Sequence, residues 1–160
     1  DVSNLLIERV YDIIITPEKI NHPDINSTEF IKDTVYLSVT SDNKLANRKS
    51  ISLREIPAQP LLVPDIGGYF IEQIENIIKN ENPKVNLIKN DFLIIQHLIR
   101  STNFLTTISS LSKELRNDGE NRVLVPFSDK ELNKTYFVSY TKRNKNKVNS
   151  FLQWAKTLIV

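Results

Sequence analysis

Seven short runs rich in β-branched and aromatic residues, at 11–16, 34–40, 60–63, 85–89, 104–108, 122–127 and 135–141, are separated by stretches whose apolar residues recur at helical spacing. That alternation confines the chain to α/β layers, because each strand and each helix must bury one face against the next element. Several runs have continuously apolar centres, such as Ile13, Ile14 and Ile15, or Leu61, Leu62 and Val63. Strands covered by helices on both faces need such centres, so largely parallel sheets are expected.

The helical stretches carry their own punctuation. Ser3 is expected to cap a short helix bearing Leu5, Leu6 and Val10, which feeds the first strand. Gly67 and Gly68 open a helix over 69–79, with Phe70, Ile74, Ile77 and Ile78 on one side and Glu72, Gln73, Glu75 and Asn76 on the other. Asp91 caps a helix over 92–100, and a last helix starts near Lys147 with Val148, Phe151, Leu152, Ala155, Leu158 and Ile159 as its stripe. Asn117, Asp118 and Gly119 mark a turn. The dense charge run 142–147 reads as a solvated connection.

Composition narrows the function. Across 160 residues, 21 Lys and Arg stand against 19 Asp and Glu, a net charge of +2, far from the basic surface of a nucleic-acid platform. There is no cysteine, hence no disulfide or thiolate chemistry, which fits a reducing compartment. No apolar run is long enough to span a bilayer, and the charged opening DVSNLLIERVYD does not read as a signal peptide. A cytoplasmic protein with no membrane partner is expected.

An enzyme would need a base, a nucleophile, a metal or a cofactor cradle, and the inventory is thin. His22 sits in a polar loop beside Pro23, and His97 shares the polar side of its helix with Gln96 and Arg100. No metal-ligand spacing occurs, Glu72 and Glu75 lie on a solvated helix face, and neither glycine-rich phosphate loop is present. No enzyme, metal or cofactor is expected. Lys142, Arg143, Lys145 and Lys147, interleaved with asparagines, are read as loop residues rather than a phosphate patch.

One segment has a physical argument for ligand binding. Pro64, Asp65, Ile66, Gly67 and Gly68 join a strand to a helix start, where backbone N–H groups and the positive end of the helix dipole attract small anions. Ligands of open α/β sheets bind beyond the carboxyl ends of strands, which adds Thr16, Asn90 and Thr106. The alternative reading, two glycines that only relieve a tight turn, stays open.

Taken in order, four stretches resemble the effector domain of LysR-type transcriptional regulators: LLIERVYDIII, VYLSVTSDNKLANRKSISLREIPAQPLLVP, FLIIQHLIRSTNFLTTIS and TYFVSYTKRNKNKVNSFLQWAK. Asn43, Lys44, Leu45 and Ala46 stand for the family's loop, and 51–56 for its short helix. Departures are Ser101, Thr102 and Asn103 in place of glycines, Lys44 in place of the loop proline, and Ser109 where a proline is common.

The resemblance implies a two-lobed α/β fold like type 2 periplasmic binding proteins, with crossing strands at 34–40 and 135–141. Lobe I would take 1–39 and 137–160, and lobe II 40–136. A small-molecule effector, expected to be anionic, would sit in the cleft between lobes. The family's pocket segments fall on Ser3, Thr16, 64–68 and Thr106; hydrogen bonds are expected from Thr16, Asn90 and Thr106 and N–H groups from Gly67 and Gly68, while helix capping is the favoured role of Ser3. DNA would be reached only through an N-terminal helix-turn-helix head outside this chain, with dimer or tetramer contacts through the effector domain. The family's lobe I begins with further elements upstream of Ser3, so the lobe is expected to be incomplete, with 11–16 lacking sheet partners or covered by another chain. A solute-binding protein of the same fold, and a bilobal enzyme, are the competing readings.

Overall fold

The computed structural model describes residues 1–65, 67–116 and 118–158. Along the chain run α1 (Val2–Ile7), β1 (Ile14–Thr16), β2 (Ile25–Thr40), β3 (Pro60–Pro64), α2 (Tyr69–Glu81), β4 (Asn86–Asn90), α3 (Phe92–Ser101), β5 (Leu105–Ser109), α4 (Lys113–Arg116), β6 (Arg122–Pro126), β7 (Asn133–Thr141) and α5 (Lys145–Leu158). Two compact units emerge, one of Asp1–Lys32 with Lys134–Val160, the other of Asp33–Asn133. The chain therefore passes between units inside β2 and at the start of β7, whereas the sequence placed those breaks after 39 and 136.

In the first unit β1 pairs antiparallel with β7, Ile14 opposite Ser139 and Thr16 opposite Phe137. The expectation that this strand lacks a sheet partner is thus corrected. β7 in turn neighbours β2, and a buried hydrogen bond of 2.8 Å runs from the Ser139 hydroxyl to that of Ser27. Among the described residues, Leu6, Ile25, Val138, Tyr140, Val148 and Ala155 are the unit's buried apolar side chains.

Two local expectations fail here for visible reasons. Asp1, not Ser3, caps α1: its carboxylate accepts from the Ser3 N–H and from the Ser3 hydroxyl, both at 3.0 Å. β1 is half the expected length because Val10 and Tyr11 donate their N–H groups to the Leu5 carbonyl, at 2.9 and 3.1 Å, and so wrap the end of α1 instead of extending. Arg9 takes the left-handed conformation, φ +64°, that this closure demands.

The run 142–147 is wound into helix rather than left as a solvated link. A 3-10 turn, Lys142–Asn144, leads directly into α5. Asp12 holds its start through Lys147 Nζ at 2.6 Å and Asn144 Nδ2 at 3.2 Å. Ile159 of the expected stripe lies outside the described residues, as does the turn residue Asn117.

In the second unit the strands lie in the order β6-β2-β5-β3-β4. β3 runs parallel to β4 and β5, with Leu62 opposite Ile88 and Thr106. β2 is antiparallel to both β5 and β6, with Ser38 opposite Thr106 and Leu124. The largely parallel sheet expected from apolar runs is therefore parallel only across three strands. Alternation in β3 explains its unbroken apolar centre: Leu61 and Val63 pack on the side of α2, and Leu62 packs with Ile95 and Ile99 of α3. Four buried isoleucines anchor α2, namely Ile71, Ile74, Ile77 and Ile78, each worth about 1.5–3 kcal/mol.

The expected helix over 51–56 shrinks to a 3-10 turn, Leu53–Glu55, closed by a capping box between Ser52 and Glu55. Ile51 instead bridges to Phe127. The buried Asp129 carboxylate fastens this turn, accepting from the Ser52 hydroxyl and the Leu53 N–H, both at 2.8 Å, and pairing with Arg54. Arg54 reaches Glu81 at the end of α2 as well, and that hydrogen bond holds the guanidinium above its ordinary pKa. The buried Asn82 side chain donates to the carbonyls of Leu53 and Ile56 at 2.8 and 3.0 Å.

Candidate functional site

The carboxyl ends of β3 and β4 lie side by side, Pro64 level with Asn90, and the Asp65 N–H donates to the Asn90 carbonyl at 2.8 Å. The chain then turns through Gly67, φ +64°, and Gly68, φ +91° and ψ 171°, into α2. Both conformations are unfavourable for residues with a side chain, and the second is open essentially to glycine alone. A Cβ at either position meets no described atom within 4 Å, so backbone conformation, not crowding, selects glycine here.

Gly68 is the N-cap of α2 and offers no side-chain acceptor to its first turn. α3 differs, since the Asp91 carboxylate accepts from the Leu93 N–H at 2.8 Å. The α2 start thus keeps the positive end of its dipole without a capping side chain.

Charges near this turn are mixed. Lys89 pairs with Glu75 and stands 3.9 Å from Asp65. The hydrogen bond to Glu75, aided by the charges of Glu75 and Asp65, holds the ammonium above its ordinary pKa. Glu72 occupies the first turn of α2. The Asn90 side-chain oxygen accepts from the Asp91 N–H at 2.9 Å and so braces the neighbouring turn.

The remaining candidates are placed differently. Thr106 is fully buried within β5, three residues before its end, and its hydroxyl lies 3.4 Å from the Thr107 carbonyl. Thr16 ends β1 in the first unit and donates to the Glu18 carbonyl at 2.7 Å. Ser3 sits in α1 with its hydroxyl engaged by Asp1, and Ile66 lies outside the described residues. Pro64, Asp65, Gly67, Gly68 and Asn90 are therefore brought together at one edge of the second unit.

The sequence reading missed a buried ionic cluster on the same unit. Arg116, 1% exposed, binds both carboxylate oxygens of Asp118 at 2.6 and 2.7 Å, and Asp118 also accepts from the Ser38 hydroxyl at 2.6 Å. Arg122 donates to Ser38 and to the carbonyls of Ile99 and Phe104, tying the end of α3 to β2. Burial lowers the Arg122 pKa, the Asp118 charge opposes that shift, and the Arg116 charge adds to it. Charged residues around a glycine turn signal solvent, and nothing in their spacing announces a buried pair. No group of three or more metal-ligating side chains occurs among the described residues, and no helix among them is long and apolar enough to cross a membrane.

Strands with helices on both faces and a glycine turn at their carboxyl edge make the second unit an α/β domain. The family model of the LysR substrate binding domain matches residues 1–159, and the chain belongs to that family. Domains of this family are parts of transcription regulators, not enzymes.

Solved structures agree on the fold. The regulatory domain of MetR, a LysR family regulator from N. meningitidis, is 14% identical with a TM-score of 0.61, over 94% of this chain and 74% of that one. The reduced OxyR regulatory domain from Pseudomonas aeruginosa is 15% identical with a TM-score of 0.65, over 94% and 74%. Full-length CbnR in complex with its target DNA is 13% identical with a TM-score of 0.57, over 88% of this chain and 50% of that one. No curated protein sequence matches the chain.

Proposed function

We propose that this domain senses a small anionic metabolite and thereby controls DNA binding by a helix-turn-helix head of the whole cytoplasmic regulator, which works as a dimer or tetramer. The observation that supports the ligand reading is the start of α2, where no side chain caps the helix and a Cβ at Gly67 or Gly68 would meet no described atom within 4 Å. Pro64, Asp65 and Asn90 frame that turn, while Thr16 and Thr106 enter through the strand-end rule and the resemblance, and Ser3 through the resemblance alone. The family match favours a regulator over a free solute-binding protein. Binding biases the population of the regulator's conformations by its differential affinity for them.

A thermal-shift screen of small carboxylates, with matched neutral and cationic compounds, tests the reading. An anion at one hundred times its dissociation constant stabilises the fold by about 2.7 kcal/mol, or roughly 5–11 °C for a chain of this size. Gly67→Asp puts a negative charge into the turn, and Gly67→Asn matches its shape; both residues tolerate the left-handed conformation. The shift is lost in the first variant and kept in the second. Equal retention in both, or stabilisation by cations alone, refutes the anion site.

A further inference from the structure

The second unit carries a cavity of about 500 Å³ whose lining includes Thr40, Asn103, Glu120 and Arg122, a size that suits a small molecule. Thr40 closes β2, which runs antiparallel to β5, and Asn103 stands just before β5. The cavity therefore lies at the amino end of β5, whereas the Gly67–Gly68 turn lies at the carboxyl end of its parallel neighbour β3. A second hollow of about 400 Å³ adjoins it, sharing Thr40 and Asn103.

Two opposite charges in this lining lack an ionic partner among the described residues. Arg122 is partly buried, yet its hydrogen bonds all go to neutral acceptors: the Ser38 hydroxyl at 3.0 Å and the carbonyls of Ser38, Ile99 and Phe104 at 2.8, 3.1 and 2.7 Å. Asp118, the acid of the same cluster, gives both oxygens to Arg116. The carbonyl end of α3 offsets only about half an elementary charge, and partly buried guanidinium groups ordinarily find a carboxylate. Nη1 of Arg122 keeps an N–H that meets no acceptor among the described residues. The exposed Glu120, two residues earlier in the chain, supplies the unpaired carboxylate. Arg100 also lines the cavity and has an interaction of its own.

Thr40 stands directly opposite Arg122 in the β2–β6 ladder, so the two side chains share one face of the sheet. Ser38, two residues back on β2, marks that face, since its hydroxyl already accepts from Arg122. Thr40 is 6% exposed. Its hydroxyl makes no hydrogen bond among the described residues and, unlike that of Thr141, is not sealed from solvent.

We propose that this cavity binds a small polar α-amino acid as its zwitterion. The carboxylate meets Arg122 Nη1 and the Thr40 hydroxyl, the ammonium meets Glu120, and the side chain turns toward Asn103 and the adjoining hollow. A ligand carrying both charges satisfies both unpaired groups, whereas a simple anion leaves Glu120 opposed to it. This site does not rest on the Gly67–Gly68 reading and takes a different class of ligand.

The test titrates the chain at pH 7 and constant ionic strength with L-serine, with 3-hydroxypropanoate, which lacks the ammonium, and with ethanolamine, which lacks the carboxylate. Backbone amide shifts report the site. L-Serine moves the amides of 99–103 and 119–122 saturably, and the other two bind at least tenfold more weakly. Glu120→Gln, a change at an exposed side chain, weakens L-serine at least tenfold and leaves 3-hydroxypropanoate unchanged. Thr40→Val weakens both, and Thr40→Ser, which keeps the hydroxyl, binds like the parent. Gly67→Asp leaves L-serine binding intact, which separates this site from the anion site. No saturable shift at these amides, equal affinity for 3-hydroxypropanoate, or undiminished L-serine binding by Glu120→Gln each overturns the proposal.

Discussion

Removing the Asp118 carboxylate should damage the second unit far more than an acidic residue beside a glycine turn suggests. Asp118→Ala takes from Arg116 both of its carboxylate contacts and leaves it, at 1% exposure, with the bond to the Thr107 carbonyl. An uncompensated buried charge of that kind costs about 3–5 kcal/mol, which for a chain of this length lowers the melting temperature by roughly 6–20 °C. Arg116→Met in the same chain removes the stranded charge, so the double variant should be more stable than Asp118→Ala alone. Urea unfolding followed by far-UV circular dichroism measures each step of the cycle. Trp154 fluorescence provides a second channel, because that residue belongs to the first unit. If the two substitutions simply add to within about 0.5 kcal/mol, the pair is not coupled and the account of the cluster is wrong.

Arg9→Gly should stabilise the fold by about 0.5–1 kcal/mol, because glycine occupies φ +64° without strain; a lower melting temperature would contradict this. Asn82→Ala leaves the buried carbonyls of Leu53 and Ile56 without their donor and should cost about 2 kcal/mol or more in chemical denaturation. Gly68→Ala should destabilise more than Gly67→Asn, since the Gly68 conformation is the less accessible of the two. The Glu131 carboxyl lies below its ordinary pKa, through its own backbone N–H first and then Arg54. Its contribution to stability is therefore full above the usual glutamate range and fades as pH falls through the lowered value. Glu131→Gln should flatten that part of the acid unfolding curve.

Much of the second unit can be read from residues alone. α2 and α3 follow from isoleucine spacing, the Gly67–Gly68 opening and the Asp91 cap, and β3 follows from an apolar run that serves two faces. The first half of β2 escapes such reading because Asn26 to Glu29 is an unbroken polar run with no alternation, and Ser27 and Asp33 are buried all the same. Parallel pairing was overextended because an apolar run reports burial and not direction. At the candidate site, the glycine turn was legible because only backbone geometry was needed. Thr106 was misplaced toward a strand end because burial of a hydroxyl depends on neighbours, here Ser38 and Leu62, far away in sequence.

The first unit is built from the two ends of the chain, with the second unit inserted between them. During synthesis the inserted unit can complete itself as soon as Asn133 has cleared the ribosome, whereas α1 and β1 must wait for β7 and α5. In that interval Leu6 and Ile25, buried in the finished fold, stay open to water and to other nascent chains. The order of emergence thus lets the inserted unit close before the unit that flanks it.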